Sequence, residues 1–284
     1  MRSSLRAARP LTLAAALAAA AAQAAPPAPA PALAATETQA RALIQARLVA
    51  SPYKMSERAR NGRIRYMLAF EPAMVWPWPA TGEQRVRLRD ASASSAQIDI
   101  CADCGDEAAP DAAQLRHYRG ANAWIDSDER SVRAFARAHA RGNGVERRMQ
   151  SLVQAVQQHM NGPISYREYL SASQALAARG GDCTEFALLL AALGRAQGIP
   201  TRIAYGVAYS SRFVGQSHVF GPHVWVQAWN GQRWLSYDAG LGRFDSGHIA
   251  LRIGDGLPQD SAGVMAAIGR LKVVEATGVT GDAR

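Results

Sequence analysis

The dipeptide Asn230-Gly231 constrains this chain more than any other feature. It stands between His223-Val224-Trp225-Val226-Gln227-Ala228-Trp229 and a run from Gln232 to Asp238, and both flanks read as strands by alternation and aromatic content. Asn-Gly is the strongest short-range signal for a hairpin with a two-residue loop. Such a loop fixes the register, with Trp225 expected opposite Ser236 and His223 opposite Asp238. Directly opposed residues have Cβ atoms about 4.5–5.5 Å apart and share a face of the sheet. The turn alone therefore sets a carboxylate beside an imidazole, which suits a base whose tautomer an acid holds. A slip by one residue would put the two on opposite faces.

A nucleophile for that base is found upstream. Gly180-Gly181-Asp182-Cys183 precedes a run in which Phe186, Leu189, Leu190 and Leu193 recur at helical spacing. Gly198 falls where a helix-ending glycine is expected, and Pro200 follows. Cys183 is thus placed in the first turn of a long buried helix. Unpaired N–H groups and the positive end of the helix dipole surround that turn. They favour thiolate over thiol, so Cys183 is expected to react below the pH of an ordinary thiol. They also offer a place to hold an oxyanion. Gly181 is expected to let a substrate backbone approach, with Asp182 beside it. Trp225, on the His223 face, is expected to shield the site from water. His117, His139, His159, His218 and His248 have no comparable partner geometry and are read as surface or satisfied core histidines. His218, five residues from His223, is the strongest rival.

The rest of the chain divides by period. Residues 63–70, 84–89 and 96–101 alternate apolar and polar side chains, the pattern of a half-exposed antiparallel sheet. Pro72 to Pro79 must be irregular, and Gly105 to Ala113 reads as an acidic loop. Arginines on these strands read as a solvated face. Helices are expected over 36–49, from an Asp128 cap to about Ala140, over 145–160 and over 171–179.

Arg2, Arg6 and Arg9, the apolar run Leu11 to Ala22 and Ala22-Gln23-Ala24 read as a signal peptide, 1–24. A Pro/Ala-rich linker follows at 25–40. A periplasmic or secreted location is expected, with no integral membrane segment after cleavage. In an oxidising compartment Cys101 and Cys104 are expected to form a local disulfide, leaving Cys183 unpaired. A zinc site needs four ligands, and no second cysteine pair exists, so neither metal nor cofactor is expected. The chain has 284 residues, 48% of them hydrophobic, which excludes a wholly disordered protein. Its net charge is +9, from 32 Lys plus Arg against 23 Asp plus Glu, but only Lys54 and Lys272 are lysines. That skew reflects coding bias, and no nucleic-acid partner is expected.

With these residues in view, the chain resembles the transglutaminase-like superfamily of papain-fold cysteine enzymes. The matching residues are Gly181-Asp182-Cys183, Ala187, Leu193, Arg195, Gly198-Ile199-Pro200 and Arg202, then His223-Val224-Trp225, Trp234, Tyr237 and Asp238. The resemblance implies a Cys183-His223-Asp238 triad. It also implies an α+β fold with a papain/transglutaminase-like core, the nucleophile-bearing helix packed on an antiparallel β-sheet. A small β-rich module at 41–125 would precede a transglutaminase-like domain at 126–284. The implied activity is cleavage or transfer of amide acyl groups of peptides or proteins, cell-wall-associated ones included, through a thioester. Gln174 and Tyr166 are candidates for a second oxyanion donor. No calcium loop of the animal enzymes is present in the sequence, so no calcium requirement is carried over. The alternative is a catalytically silent transglutaminase-like module that binds peptide or cell wall.

Overall fold

The computed structural model describes residues 36–278, apart from 89, 91, 167 and 168. The signal peptide, most of the linker and Arg89 lie outside the described residues. Helix α1 (Glu37–Gln45) leads into a short strand β1 (Val49–Ala50) and a single turn α2 (Glu57–Arg60). Strands β2 (Ile64–Phe70), β3 (Gln84–Leu88) and β4 (Ser95–Ile100) follow. Then come helices α3 (Ala112–His117), α4 (Arg130–His139), α5 (Gly144–His159), α6 (Ala172–Ala178) and α7 (Cys183–Ala196). The remaining elements are β5 (Thr201–Phe213), β6 (Gln216–Trp229), β7 (Trp234–Tyr237), β8 (His248–Gly254), α8 (Pro258–Ile268) and β9 (Leu271–Thr277).

The fold is α+β, with two antiparallel sheets. One has the order β1-β6-β5-β8, with β7 also paired to β6; the other has the order β3-β4-β2-β9. Helix α7 packs on β5 and β6 and also meets α4, α5 and α6. Being surrounded, it is apolar all round: every residue from Ala187 to Gly194 is buried. Its approach to β5 needs a residue without a Cβ, since one at Gly194 would lie 2.7 Å from Thr201 Cγ2. The helix stops where Gly198 takes the left-handed conformation, φ +74°. Buried Arg195 ties that end down by pairing with Asp255 and donating to the Gly120 and Thr201 carbonyls.

The second sheet buries Ile64, Tyr66, Leu68 and Phe70 against the same core as the α7 leucines. Its other face carries the arginines. Arg65 forms two hydrogen bonds to Asp99, 2.5 and 2.9 Å, and Arg85 reaches Asp106, so part of the expected solvated face is ion-paired. The fourth strand of this sheet, β9, comes from the far end of the chain and pairs with β2. Neither α8 nor β9 was expected from the pattern. The acidic loop turns helical at α3, where Asp111 and Gln114 make a capping box. Before it, Glu107 takes two hydrogen bonds from Arg202, 2.6 and 2.7 Å, docking the loop on β5.

Three expectations shift locally. Helix α1 ends at Gln45, because Val49 is drawn into pairing with Phe220 of β6. Helix α4 starts at Arg130 rather than behind an Asp128 cap. The hairpin loop has four residues, not two, and Trp229 pairs with Trp234. Asn230 explains the longer loop, since its side-chain oxygen accepts the N–H groups of Gln232 and Arg233, both at 2.9 Å. Ser236 therefore opposes Gln227 instead of Trp225. The displacement is two residues, one full period of the pleat, so each side chain keeps its face.

Candidate active site

Asp238 lies one residue past β7, diagonal to His223 rather than directly opposite it. The contact survives the change of register: His223 Nε2 donates to Asp238 Oδ2 at 2.7 Å. That bond leaves His223 Nδ1 as the free basic nitrogen. Asp238 Oδ1 accepts the backbone N–H groups of Gly240, 2.8 Å, and Leu241, 3.1 Å. These bonds turn the chain so that Gly240 faces the site. A Cβ placed on Gly240 would lie 3.3 Å from Asp238 Oδ1, 3.4 Å from His223 Cε1 and 3.8 Å from Cys183 Cβ. One point thus touches all three side chains.

Cys183 opens α7, as the glycines and the apolar run required. Asp182 is its N-cap, accepting the Thr184 N–H at 2.8 Å, and Glu185 reaches back to the Asp182 N–H at 2.9 Å. The other Glu185 oxygen accepts the Leu170 N–H at 3.0 Å. Burial and the neighbouring Asp182 carboxyl push Glu185 up to about 8, with a proton held between the two side chains. Gly181 lines the cleft, but its need for glycine has another cause: a Cβ there would lie 2.6 Å from the Glu185 side chain, and φ is +138°.

The expected acidic thiol is not found. Burial, then the charge of Asp182, pushes Cys183 well above the ordinary thiol range, against a bond from the Val224 N–H. The resting side chain is a neutral thiol, and attack needs a base to take its proton. Asp238 goes the opposite way. Burial opposes its charge, but His223 and His248 outweigh that and hold the carboxyl well below the usual carboxylate range.

His248 is the residue sequence reasoning missed. Its Nε2 lies 3.0 Å from Asp238 Oδ2, so it has a partner after all. The only signal was its place at the start of a strand four residues from a phenylalanine and three from Asp245. His218 instead bonds the Tyr209 hydroxyl at 2.8 Å. Trp225 is buried, stacks 6.1 Å from the His223 ring and meets His248 edge-on at 5.3 Å. Gln174 does not serve as an oxyanion donor, because its side chain caps α6 at Ser171. Tyr166 lines the cleft, where its hydroxyl is electrostatically coupled to Cys183. Cys101 and Cys104 are disulfide-bonded and Cys183 is free.

The cleft over Cys183 and His223 has a volume of about 450 Å³, in the range of ligand sites. Ile44 of α1, Phe213 of β5 and Val264 and Met265 of α8 give it apolar walls. His223, Asp238 and His248 place three ligand-type atoms within 4.8 Å of one another. Tetrahedral ligands with bonds of roughly 2.0 Å stand about 3.3 Å apart. The 2.7 Å contact is the spacing of a hydrogen bond, and the set is a proton network.

Residues 133–239 match the family model of the transglutaminase-like superfamily. The bounds of the match hold Cys183, His223 and Asp238 but stop short of His248 and α8. No curated protein sequence matches the chain. Among solved structures, the chain is similar to a candidate cysteine protease from Cytophaga hutchinsonii, with 16% identity and TM-score 0.43 over 75% of this chain and 86% of that one. It is also similar to the periplasmic domain of TgpA from Pseudomonas aeruginosa, with 20% identity, TM-score 0.42, 68% of this chain and 77% of that one. Red sea bream transglutaminase gives 12% identity, TM-score 0.35, 68% and 48%.

Proposed function

We propose that this protein is an exported thiol enzyme that cleaves or transfers amide acyl groups of peptides or proteins through a thioester on Cys183. The observation that carries the reading is the convergence of Cys183, His223 and Asp238 on one point beside an apolar cleft. Export rests on the N-terminal sequence, Arg2 to Ala24. The cleft suits a peptide with apolar side chains near the reacting carbonyl.

His223 Nδ1 takes the Cys183 proton as sulfur attacks the amide carbon. The developing oxyanion is held in the first turn of α7, with the Cys183 N–H and the Tyr166 hydroxyl as donors. When the C–N bond breaks, His223 returns the proton to the leaving amine, and the acyl group stays on sulfur. Water, or a second amine, then attacks the thioester with His223 again taking a proton, and the thiol is released. Asp238 keeps the imidazole in the tautomer this cycle needs. Trp225 excludes water from the rear of the ring.

The test is incubation with a peptide library, followed by intact-mass measurement after an acid quench. Wild type is expected to carry an acyl adduct lost in C183A and not accumulated in H223A. A folded wild type that binds peptides without any adduct or product would replace this reading by the silent binding module.

A further inference from the structure

We propose that His248 is a positioning residue for the Cys183-His223 pair: as an imidazolium it holds the same Asp238 oxygen that His223 bonds, Oδ2, fixing both the carboxylate's orientation and the charge behind the base. The inference rests on the thiol-enzyme reading and lies outside the matched family region, 133–239.

Both ring nitrogens of His248 face oxygen acceptors, and Nδ1 also lies 3.3 Å from the Asp245 N–H. Nε2 lies 3.0 Å from Asp238 Oδ2, while Nδ1 lies 3.1 Å from the Asp245 carbonyl and 3.3 Å from Asp245 Oδ1. A neutral ring protonated at Nε2 can take the Asp245 N–H at Nδ1 but sets its lone pair against the Asp245 carbonyl and carboxylate oxygens; the imidazolium donates to a carboxylate from each nitrogen. The ring is held in place, buried between Trp225 and Phe244, with centroids at 5.3 and 5.0 Å. Asp245 is fixed in turn by Arg60 of α2, 2.5 Å, and by the Gly247 N–H, 2.8 Å. A chain of contacts therefore runs Arg60, Asp245, His248, Asp238, His223.

The charged and titratable groups around His248 are Asp238 after β7, Asp245 in its own loop, His223 on β6, Glu83 beside β3, and Arg60 through Asp245. Burial works against the charge on His248, but its bonds to Asp238 and Asp245 outweigh that and push it up to about 9. Asp238 thus receives four hydrogen bonds, two from imidazoles and two from backbone. A carboxylate so held cannot rotate away when His223 gains its proton. The positive charge of His248 also offsets that of Asp238 behind the base.

The experiment measures Cys183 alkylation by iodoacetamide against pH in wild type and H248Q, which needs no substrate. Turnover is measured in parallel on any peptide the wild type cleaves. In H248Q the cluster loses one positive charge, so the alkylation midpoint is expected to rise by about one pH unit. The rate below the midpoint should fall about tenfold, and the loss of turnover should appear in kcat rather than KM. Superimposable profiles in a folded H248Q would overturn the proposal. A second measurement covers a variant that fails to fold: the imidazole nitrogen shifts of wild-type His248 by NMR at pH 7. Two protonated nitrogens are expected, and a neutral ring overturns the proposal. Absence of turnover in wild type with the alkylation shift intact would instead count against the thiol-enzyme reading alone.

Discussion

The substitution Glu185→Gln tests the capping of the nucleophile helix. Glu185 is buried and accepts two backbone N–H groups, one from Asp182 and one from Leu170. Burial, then the neighbouring Asp182 carboxyl with which it shares a proton, raises it from 4.5 to about 8. The unfolded chain releases that proton near pH 4.5, whereas the folded protein keeps it until about pH 8. Between those values the folded state binds more protons, so stability falls as pH rises. At about 1.4 kcal/mol per pKa unit, the loss across this window comes to about 5 kcal/mol. Glutamine does not titrate, but its single oxygen can accept only one of the two backbone N–H groups, so E185Q also loses one buried hydrogen bond, about 1–3 kcal/mol, at every pH. Urea unfolding of both proteins from pH 5 to pH 9 reads the difference. E185Q should be the less stable at pH 5 by about 1–3 kcal/mol, and should lose much less stability than wild type between pH 5 and pH 9. Parallel curves across the range would refute the buried shared proton.

Two further outcomes follow from the same geometry. Gly240→Val places branched carbon where Cys183, His223 and Asp238 converge, so acyl-adduct formation should fall at least about a hundredfold while overpacking costs only about 1–3 kcal/mol in thermal unfolding; an active G240V would separate the three side chains functionally. Replacing Cys101 and Cys104 by serine opens a four-residue loop, for which chain entropy gives a loss of about 2 kcal/mol by chemical denaturation, with Cys183 alkylation unchanged; a collapse of alkylation would tie the two sites together.

Much of the site was legible because its signals are local. A cysteine behind two glycines and an apolar 3.6-residue period places itself on a helix start without tertiary information. The hairpin was legible for a sturdier reason than its loop length. Asn230 made a longer turn than the dipeptide suggested, yet the error was an even number of residues, and His223 and Asp238 kept a common face. What stayed hidden is set by long-range contact. His248 has no neighbour in sequence that marks it, and only the path of β8 beside β5 brings it to Asp238. The thiol's acidity was misjudged because the first helical turn was visible in the sequence, while the burial and the Asp182 charge opposing it are properties of the packed site. Strand β9 was missed because Leu271, Val273 and Ala276 bury only two faces of a weakly alternating run.

The pairing of β9 with β2 bears on how the molecule is made. A chain synthesised from its N-terminus presents Ile64 to Phe70 long before residues 271–277 exist. Until those last residues arrive, one edge of that early sheet offers unpaired N–H and C=O groups to any other extended segment. One edge of β2 therefore stays open until β9 is made, and trimming a few residues from β9 would expose that edge again, more than two hundred positions away.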